Sequence, residues 1–423
     1  MDSELNSLLN KINKFCTFGS VLGLSRMEDL CEKLDHPEES LNVIHVAGTN
    51  GKGSVCRYIY EALREAGFSV GLYISPFITV FNERIEMNGN HISDDDLIYY
   101  SEMVLSVAKE MNEAPTEFEL ITAIALKYFS DKKTDYVVLE VGLGGRGDST
   151  NIVKNPLISV ITSIGLDHME RLGNSAAEIA YEKAGIIKNN VPVISAAIPD
   201  KAKEVISKIA LINNSEFVDT TEVKYKILDK DIYKSEYQID GVNIAIFMGG
   251  EHQITNSVTA YETLKKLRSI GKVNITDDEI VNGFKKAKQP GRFEVFNNNP
   301  YVIIDGAHNV DGAVALTNTL KTNFVGAKIL LVIGILKDKA YNSMIDEFIK
   351  ITDEFIVTEP NNLRKLSAIK LSKALEDKGA KCLIEPVPKE AYKRAMEIKS
   401  NYDVIVFAGS LYLIGEIRSF LVD

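Results

Sequence analysis

Tryptophan is absent from the 423-residue chain, and cysteine, histidine and proline are scarce, with 4, 6 and 11 copies. Cys16, Cys31, Cys56 and Cys382 show neither a metal-type nor a redox-pair spacing, so we expect reduced thiols in a cytoplasmic protein. An apolar run long enough to span a bilayer is missing, and Met1–Ser20 does not resemble a signal peptide. These absences argue against a disulfide-rich secreted protein and against a membrane protein.

An excess of basic residues is lacking as well, because 59 acidic residues outnumber 48 basic ones and the formal net charge is -11. This balance argues against broad electrostatic binding of nucleic acid or anionic membrane. Anionic substrates would instead require positive charge that is concentrated at the site. We expect two domains, because the chain is too long for one ordinary core. We also expect small-molecule substrates and a monomer.

The stretch Val43–Ser54 carries the clearest functional signal. An apolar run typical of a buried strand meets a glycine-rich turn, and a helical pattern begins at Val55. Such a turn can place several backbone N–H groups around a phosphate, while Lys52 would add a point charge and Ser54 a hydroxyl. The stretch departs from the strict P-loop spacing because Gly53 separates the lysine from the serine. We predict a variant nucleotide-phosphate loop, with a generic strand-to-helix turn as the alternative.

Hydrophobic periodicity predicts further elements of both kinds in the first 290 residues. Leu5, Leu8, Leu9 and Ile12 have helical spacing. The predicted helices are Cys56–Ala66, Thr116–Phe129, Ala176–Ile187, Lys201–Ile212 and Thr255–Ile270, and the predicted strands are Ser69–Ile74, Tyr136–Val141, Pro156–Ile164 and Val191–Ala196. Alternating apolar residues from Tyr225 to Ile246 indicate a small antiparallel patch.

Strands and helices alternate regularly after residue 300, which is typical of a parallel sheet covered on both faces. Helical signal stops near Gln289–Gly291, and Asn297–Pro300 is a polar break. We predict an α/β fold with a P-loop ATPase-type domain over residues 1–296, whose mainly parallel sheet is joined by the antiparallel patch. A Rossmann-like α/β domain is predicted over residues 297–423.

Acidic residues and histidines follow several predicted strands. Glu140 ends one of them beside the phosphate loop, where Mg²⁺ would find an oxygen donor, although a solvated strand end is the alternative. Arg146 and Asp148 could bind substrate or pair with each other. His168 follows the next strand, but a lone histidine is more often structural than ligating.

Three further charged or polar residues have two interpretations each. His308 lies in a polar loop after a predicted strand, where open α/β sheets place ligands. Lys183 on a predicted helix has the pattern of a solvated lysine. Arg292 at the predicted domain boundary is either a linker charge or a phosphate contact.

With these motifs assembled, the sequence resembles the folylpolyglutamate synthases, many of which also act as dihydrofolate synthases and which belong with the Mur-type amide ligases. The resemblance runs from about Gly23 to Glu416. The motifs that carry it are Gly48–Ser54, Ser75–Pro76, Phe81–Ile85, Thr116–Glu119, Glu140–Asn151, Ser163–His168, Glu182–Ile186, His252–Asn256, Pro290–Glu294, Asp305–Asn309 and Gly409–Tyr412. A series in this order is far more specific than any single motif.

The resemblance implies ATP and two magnesium ions as cofactors. The residues implied for the nucleotide are Asn50, Gly51, Lys52, Gly53, Ser54, Asn256, Arg292 and Asp305, and those implied for the metal are Ser75, Glu140 and His168. Lys183 matches a lysine that becomes carbamylated in the family. Lys52, Lys183 and His308 are the implied catalytic residues.

The resemblance also implies where the other substrates bind. Thr116, Glu117, Phe118, Glu119 and Asp148 match a pterin-contacting region of the bifunctional members, and His308 and Ser410 fall where the incoming glutamate is expected. Gly147, Ser149 and Phe77 depart from the pattern of those members. Use of dihydropteroate as a second acceptor therefore stays open.

The expected activity is an ATP-dependent ligation of L-glutamate to a (tetrahydro)folate through an acyl phosphate. Attack of a carboxylate on the γ-phosphate needs charge neutralisation, which Lys52 and magnesium would provide. Because an acyl phosphate hydrolyses in water, a cleft between the two domains should close over it. The alternatives are a Mur-type ligase acting on a cell-wall precursor, a non-enzymatic nucleotide-dependent binding protein and a small-molecule kinase.

Overall fold

The computed structural model describes residues 23–196 and 199–422, together with Leu8, Lys11, Ile12 and Phe15. The chain divides into two compact units, the first being Met1–Lys224 with Asn256–Lys286 and the second Tyr225–Thr255 with Ala287–Asp423. Within the described ranges, every helix is too short or too polar to cross a bilayer. The predicted α/β class is confirmed.

An eight-stranded sheet forms the centre of the first unit. Its strands are β1 (Val43–Ala47), β2 (Val70–Tyr73), β3 (Ile85–Met87), β4 (Asn90–His91), β5 (Tyr136–Glu140), β6 (Ile158–Ile161), β7 (Val193–Ser195) and β8 (Phe217–Asp219). The strand order is β4-β3-β2-β5-β1-β6-β7-β8, in which β3 pairs antiparallel with both β2 and β4 and all other pairs are parallel. Because β1 lies between β5 and β6 and runs parallel to both, the loops that follow these three strands leave the same edge of the sheet.

Helices cover both faces of this sheet. They are α1 (Ser25–Lys33), α2 (Lys52–Glu65), α3 (Asp94–Ala108), α4 (Glu117–Asp131), α5 (Met169–Leu172), α6 (Ala176–Lys183) and α7 (Asp200–Ile212), followed by α8 (His252–Ser269), which leads from the second unit into the first, and α9 (Asp277–Lys286). One apolar core lies under α3 and α4, and the other lies under α6 and α7. Of the predicted N-terminal helix, Leu5 and Leu9 lie outside the described residues, whereas Leu8 and Ile12 are buried in the first core.

The helix after the phosphate turn begins earlier than the sequence pattern predicts. Gly51 has a φ of +86° and forms the N-cap of α2, so the helix starts at Lys52 and not at Val55. The N–H of Val55 donates to the carbonyl oxygen of Gly51 at 2.9 Å. Periodicity missed the first turn because its residues are small or charged and carry no apolar repeat.

The second unit contains two sheets. Strands β9 (Tyr225–Lys230), β10 (Ser235–Ile239) and β11 (Val242–Ile246) pair antiparallel, as predicted. The other strands are β12 (Glu294–Asn298), β13 (Tyr301–Ile304), β14 (Ile329–Ile333), β15 (Glu354–Val357), β16 (Lys381–Ile384) and β17 (Val404–Ala408). They form a sheet of order β12-β13-β17-β14-β15-β16 that is parallel except for β12.

The five strands predicted after residue 300, β13 to β17, are parallel as expected, and the prediction missed only β12 at one edge. The segment interpreted as a polar break includes the end of β12, where Asn297 and Asn298 are exposed and pair with β13. An edge strand with a single neighbour tolerates polar residues on both sides, so its sequence resembles a loop.

Helices cover both faces of the second sheet as well. They are α10 (Val310–Asn323), α11 (Tyr341–Phe348), α12 (Ala368–Glu376), α13 (Pro388–Glu397) and α14 (Leu411–Val422). Short 3₁₀ helices in the chain are Pro37–Ser40, Phe81–Arg84, Ser149–Ile152, Ala184–Ile186, Thr220–Glu222 and Lys399–Asn401. Because β13 and β17 are parallel neighbours, Asp305 and Ser410 leave this sheet at the same edge.

Candidate active site

Residues that follow β6 hold the phosphate turn in place. The N–H of Thr49 donates to the carbonyl oxygen of Ser163 at 2.7 Å. The hydroxyl of Thr162 donates to the carbonyl oxygen of Asn50, also at 2.7 Å. The hydroxyl of Ser163 donates to the same Asn50 oxygen at 3.1 Å. Sequence reasoning gave Thr162 no role, although two adjacent hydroxyl residues directly after a buried strand were the available signal.

Gly51 is one of the two glycines of the turn at which a side chain would collide with a neighbour, the other being Gly48. A Cβ added to Gly51 would lie 2.4 Å from Oδ1 of Asn256, and the positive φ disfavours any side chain. Asn256, a predicted nucleotide contact on α8, therefore lies directly against the phosphate turn. Gly53 and Ser54 occupy the first turn of α2, at the helix end that favours bound anions.

Lys52 and Glu140 meet beside the turn. The Nζ of Lys52 donates to the carbonyl oxygens of Gly48 at 3.2 Å and Thr49 at 3.3 Å, and it lies 3.9 Å from Oε1 of Glu140. Glu140 is buried at the end of β5, and its Oε2 accepts a hydrogen bond from the N–H of Ser75 at 3.1 Å. The structure thus brings together the predicted phosphate lysine and two predicted metal ligands, whose oxygen atoms suit a hard cation.

Lys183 is buried at the end of α6, and its Nζ donates to the carbonyl oxygen of Gly48 at 2.8 Å. Burial and, to a smaller extent, repulsion by Lys52 lower the pKa of Lys183 to about 7, against opposing attraction from Asp167 and Asp148. The interpretation of Lys183 as a solvated lysine is wrong, because this end of α6 packs against the phosphate turn. An amine with this pKa is about half in its neutral, nucleophilic form at pH 7.

His168 lies at the start of α5 in a left-handed conformation with a φ of 51°. Its N–H donates to Oδ1 of Asp167 at 2.9 Å, and both residues are half-buried. They follow β6 by a few residues, on the same edge as the phosphate turn. Three predicted metal ligands therefore follow three different strands of one sheet.

Two residues of the predicted pterin region form hydrogen bonds with other residues of the protein. Thr116 caps α4, and its N–H donates to Oε2 of Glu119 at 2.7 Å. The buried carboxylate of Glu119 also accepts two hydrogen bonds from the guanidinium of Arg26, at 2.8 and 3.0 Å. The prediction that both residues contact the pterin stays a prediction.

Glu117 and Phe118 of that region are more accessible to solvent than Thr116 and Glu119. Phe118 is half-buried, and its ring lies where a Cβ on Gly142 would approach it to 2.4 Å. Glu117 is half-buried and lies 3.9 Å from the guanidinium of Arg84, which stacks over the ring of Phe77. The start of α4 and the loop after β5 therefore form one continuous surface.

The loop Gly142–Asp148 has one buried and one exposed charge. The guanidinium of Arg146 lies 4.1 Å from the ring centre of Tyr181, whereas Asp148 is buried and its pKa is raised by that burial. A Cβ added to Gly185 would lie 2.4 Å from the Cα of Arg146, so the loop packs backbone to backbone against the segment after Lys183.

Arg292 and Asp305 lie together in the second unit. The buried carboxylate of Asp305 accepts hydrogen bonds from the N–H of Phe293 at 2.9 Å and of Ala307 at 2.8 Å. Burial raises the pKa of Asp305, and attraction to Arg292 opposes this rise. The two residues interpreted as nucleotide contacts therefore influence each other.

His308 and Ser410 occupy the same edge of the second sheet. The Nδ1 of His308 lies 2.7 Å from the carbonyl oxygen of Gly306, which can only accept, so Nδ1 carries a proton and Nε2 is left as the second polar atom. Ser410 is buried, and its hydroxyl oxygen accepts from the N–H of Tyr412 at 3.2 Å. Both predicted glutamate contacts thus lie at the ends of neighbouring strands.

Comparison with protein families matches both parts of the chain. The middle domain of the Mur ligases matches residues 46–264, and the Mur ligase glutamate ligase domain matches residues 291–411. Dihydrofolate synthase/folylpolyglutamate synthase of Bacillus subtilis is 37% identical over 413 residues, which is 95% of each chain.

Two solved structures agree closely with the fold. Folylpolyglutamate synthase of Mycobacterium tuberculosis, complexed with ADP and AMPPCP, is 27% identical with a TM-score of 0.90 and covers 100% of this chain and 99% of that one. FolC of E. coli in complex with DHPP and ADP is 29% identical with a TM-score of 0.89, covering 99% and 97% of the two chains.

Proposed function

The chain belongs to the folylpolyglutamate and dihydrofolate synthase family of Mur-type ligases, and from this we propose that it is an ATP-dependent ligase that adds L-glutamate to a folate acceptor. The observation that carries this proposal is the meeting of Lys52, Glu140 and Lys183 at the turn Gly48–Gly51. A protein that only binds a nucleotide needs the turn, but it has no use for a buried amine at the same carbonyl oxygen.

The reaction has two steps. An oxygen of the acceptor carboxylate attacks the γ-phosphorus of ATP, the bond to the β-phosphate oxygen breaks, and ADP leaves. The amine of glutamate then attacks the acyl carbon, phosphate leaves, and the nitrogen loses a proton as the amide forms. The charge of Lys52 and the N–H groups at the start of α2 stabilise the transferred phosphoryl group.

Ser75, Glu140 and His168 would hold divalent cations, and we infer two ions. The hydroxyl and carboxylate oxygens in this set fit Mg²⁺, and the Glu140 carboxylate lies at the phosphate turn, 3.9 Å from Lys52. Bound magnesium would supply neutralisation of phosphate charge.

Lys183 is proposed to carry a carbamate. Its neutral amine would attack CO₂ through nitrogen, form a C–N bond and release one proton, leaving an anionic carboxyl group. Because a pKa of about 7 leaves roughly half of the amine neutral at pH 7, this chemistry is available to Lys183 and not to an ordinary lysine. The new oxygens would then offer further donors to the cations.

We assign the acceptor to the surface formed by Thr116–Glu119 and Gly142–Asp148, in which Glu117 and Phe118 are half-buried and Arg146 is exposed. Glutamate is assigned to His308 and Ser410. Residues 1–296 would thus bind folate and most of the ATP, and residues 297–423 would bind glutamate and add Asp305 as a nucleotide contact.

The deciding assay supplies ATP, magnesium and L-glutamate with either tetrahydrofolate or dihydropteroate, and it measures ADP together with the mass of the product. We expect an amide product that is one glutamyl unit heavier, with dihydropteroate reporting on the second activity. ADP formed only with a nucleotide-sugar peptide would identify a cell-wall ligase. A phosphorylated product that persists without an amine would identify a kinase, and nucleotide binding without product would identify a binding protein.

A further inference from the structure

His45 lies in the middle of β1, five residues before Asn50 of the phosphate turn, and it is fully buried. Its Nε2 lies 2.9 Å from Oγ1 of Thr150, the second residue after Asp148. Its Nδ1 is buried without a hydrogen-bond partner. A strand histidine with one satisfied nitrogen is therefore linked by a single contact to the acceptor-side loop.

Thr150 also forms hydrogen bonds with Asp148. The hydroxyl of Thr150 lies 2.5 Å from Oδ1 of Asp148, and the N–H of Thr150 donates to the same oxygen at 3.0 Å. The other carboxylate oxygen accepts from the N–H of Leu143 at 2.8 Å. Both oxygens of Asp148 thus accept backbone N–H groups, as an ionised carboxylate does.

The direction of the hydrogen bonds follows from proton counting. A carboxylate can only accept, so the one hydroxyl proton of Thr150 goes to Asp148, and the Thr150 oxygen must accept from Nε2 of His45. This order requires the Nε2–H tautomer of His45. Burial lowers the pKa of His45 to about 3, so the ring carries a single proton at neutral pH.

We propose that His45 and Thr150 are positioning residues that hold the acceptor-side loop Gly142–Asp148 through the donor order His45, Thr150, Asp148. This inference rests on the proposed function, because it assigns that loop to the acceptor. We call this chain of hydrogen bonds from His45 through Thr150 to Asp148 the relay. The phosphate turn is held separately by Thr162 and Ser163, so loss of the relay should weaken acceptor binding and leave ATP binding unchanged.

Kinetics of four variants test the relay. Thr150→Val and His45→Leu remove the hydroxyl and the ring N–H at similar side-chain volume. Thr150→Ser keeps the hydroxyl, and His45→Gln keeps an N–H donor in place of Nε2. We expect KM for tetrahydrofolate to rise about tenfold in the first pair, to stay within about twofold in the second pair, and KM for ATP to stay within about twofold in all four.

Ser159→Ala is the matched control. Ser159 pairs with His45 across β1 and β6, is equally buried, and donates to the carbonyl oxygen of Ile186 at 2.9 Å and not to the relay. It should cost stability without moving KM for tetrahydrofolate. A parallel rise of both KM values in Thr150→Val, or an unchanged KM for tetrahydrofolate in a folded Thr150→Val protein, would overturn the proposal.

A spectroscopic measurement keeps the proposal testable if a variant fails to fold. In protein labelled with ¹⁵N-histidine, the wild-type His45 signal should show the Nε2–H tautomer, and Thr150→Val should shift it. A signal of the Nδ1–H tautomer overturns the donor order. If the wild-type protein makes no amide at all, the proposed function fails, and the relay is then decided by the nitrogen spectrum alone.

Discussion

The side-chain nitrogen of Lys183 lies 2.8 Å from the carbonyl oxygen of Gly48, and the nitrogen of Lys52 lies 3.2 Å from the same oxygen. Two amines that are distant in sequence therefore share one acceptor at the start of the phosphate turn. Because burial and like-charge repulsion both disfavour a second ammonium ion there, the pKa of Lys183 falls to about 7. Lys183 is the chemically unusual group of this site.

Removal of Lys183 should abolish turnover. We expect Lys183→Ala to lose at least about a hundredfold in kcat, and added acetate or formate to restore part of it by replacing the carboxyl group of the carbamate. Lys188→Ala is the control, since Lys188 is half-buried nearby and its pKa is also lowered, to about 8. An active Lys183→Ala protein would remove the carbamate from the mechanism.

Occupancy of the carbamate should increase with pH. A pKa lowered from 10.5 to about 7 means that the neutral fraction of Lys183 rises from about one tenth at pH 6 to about nine tenths at pH 8. Carbamate formation also releases a proton, which favours it further as pH rises. Native mass spectrometry of the metal-free protein at constant dissolved CO₂ measures this occupancy, and an occupancy that does not change across this range contradicts the prediction.

Substitution of Glu140 should affect catalysis more than binding. We expect Glu140→Gln to lower kcat by about a hundredfold while the Kd for ATP changes by less than about tenfold, because phosphate charge is largest in the transition state. Glu86→Gln is the control, since that carboxylate is equally buried but pairs with Arg57. Near-normal turnover of Glu140→Gln at ordinary Mg²⁺ would place the metal elsewhere.

Gly51 and Gly67 allow a matched test of the phosphate turn. Their φ angles are +86° and +85°, but a Cβ would meet Asn256 at Gly51 and nothing within 4 Å at Gly67. Both alanine substitutions should cost about 1 kcal/mol of unfolding free energy through the backbone, and only Gly51→Ala should weaken ATP binding, by about tenfold or more. Calorimetric titration with ATP measures this, and equal affinities of the two variants would contradict the prediction.

Arg292 should contribute to nucleotide use. We expect Arg292→Ala to raise KM for ATP or lower kcat by about tenfold at an unchanged melting temperature, as for loss of one charge-assisted phosphate contact. Arg394→Ala removes an exposed arginine of the same unit that pairs with Glu397, and it should be silent. Unchanged kinetics of a folded Arg292→Ala protein would support the linker interpretation.

The sequence predicted the strand–turn–helix of the phosphate loop because a buried apolar run, glycines and a lysine each leave a local signature. It also predicted the parallel sheets, whose alternating elements have a fixed topology. Which loops meet at the edge of a sheet follows from the strand order, and the placement of β1 between β5 and β6 is not written in any local pattern. Periodicity predicted that Glu140 ends a strand, and the observed strand order accounts for its position next to the phosphate turn.

Lys183 shows most clearly what local sequence cannot predict about the site. Local sequence gives no sign that Lys183 is buried, because a lysine directly after Glu182 has the pattern of a solvated helix position. Burial arises from a tertiary contact with Gly48, 135 residues away in the chain, and the lowered pKa is a consequence of that contact. The resemblance to a family identified the residue, whereas the geometry supplies the physical reason for its chemistry.

The close contact of Gly185 with the backbone of Arg146 restricts how acceptor preference can be re-engineered. Loop grafts that replace residues 142–151 from a relative, but keep residues 182–186, would combine two backbones that had not been fitted to each other. Chimeras should therefore have their crossover points before residue 142 and after residue 186, so that both segments come from one parent. Libraries built this way should retain a larger share of folded members than libraries with a crossover between the two segments.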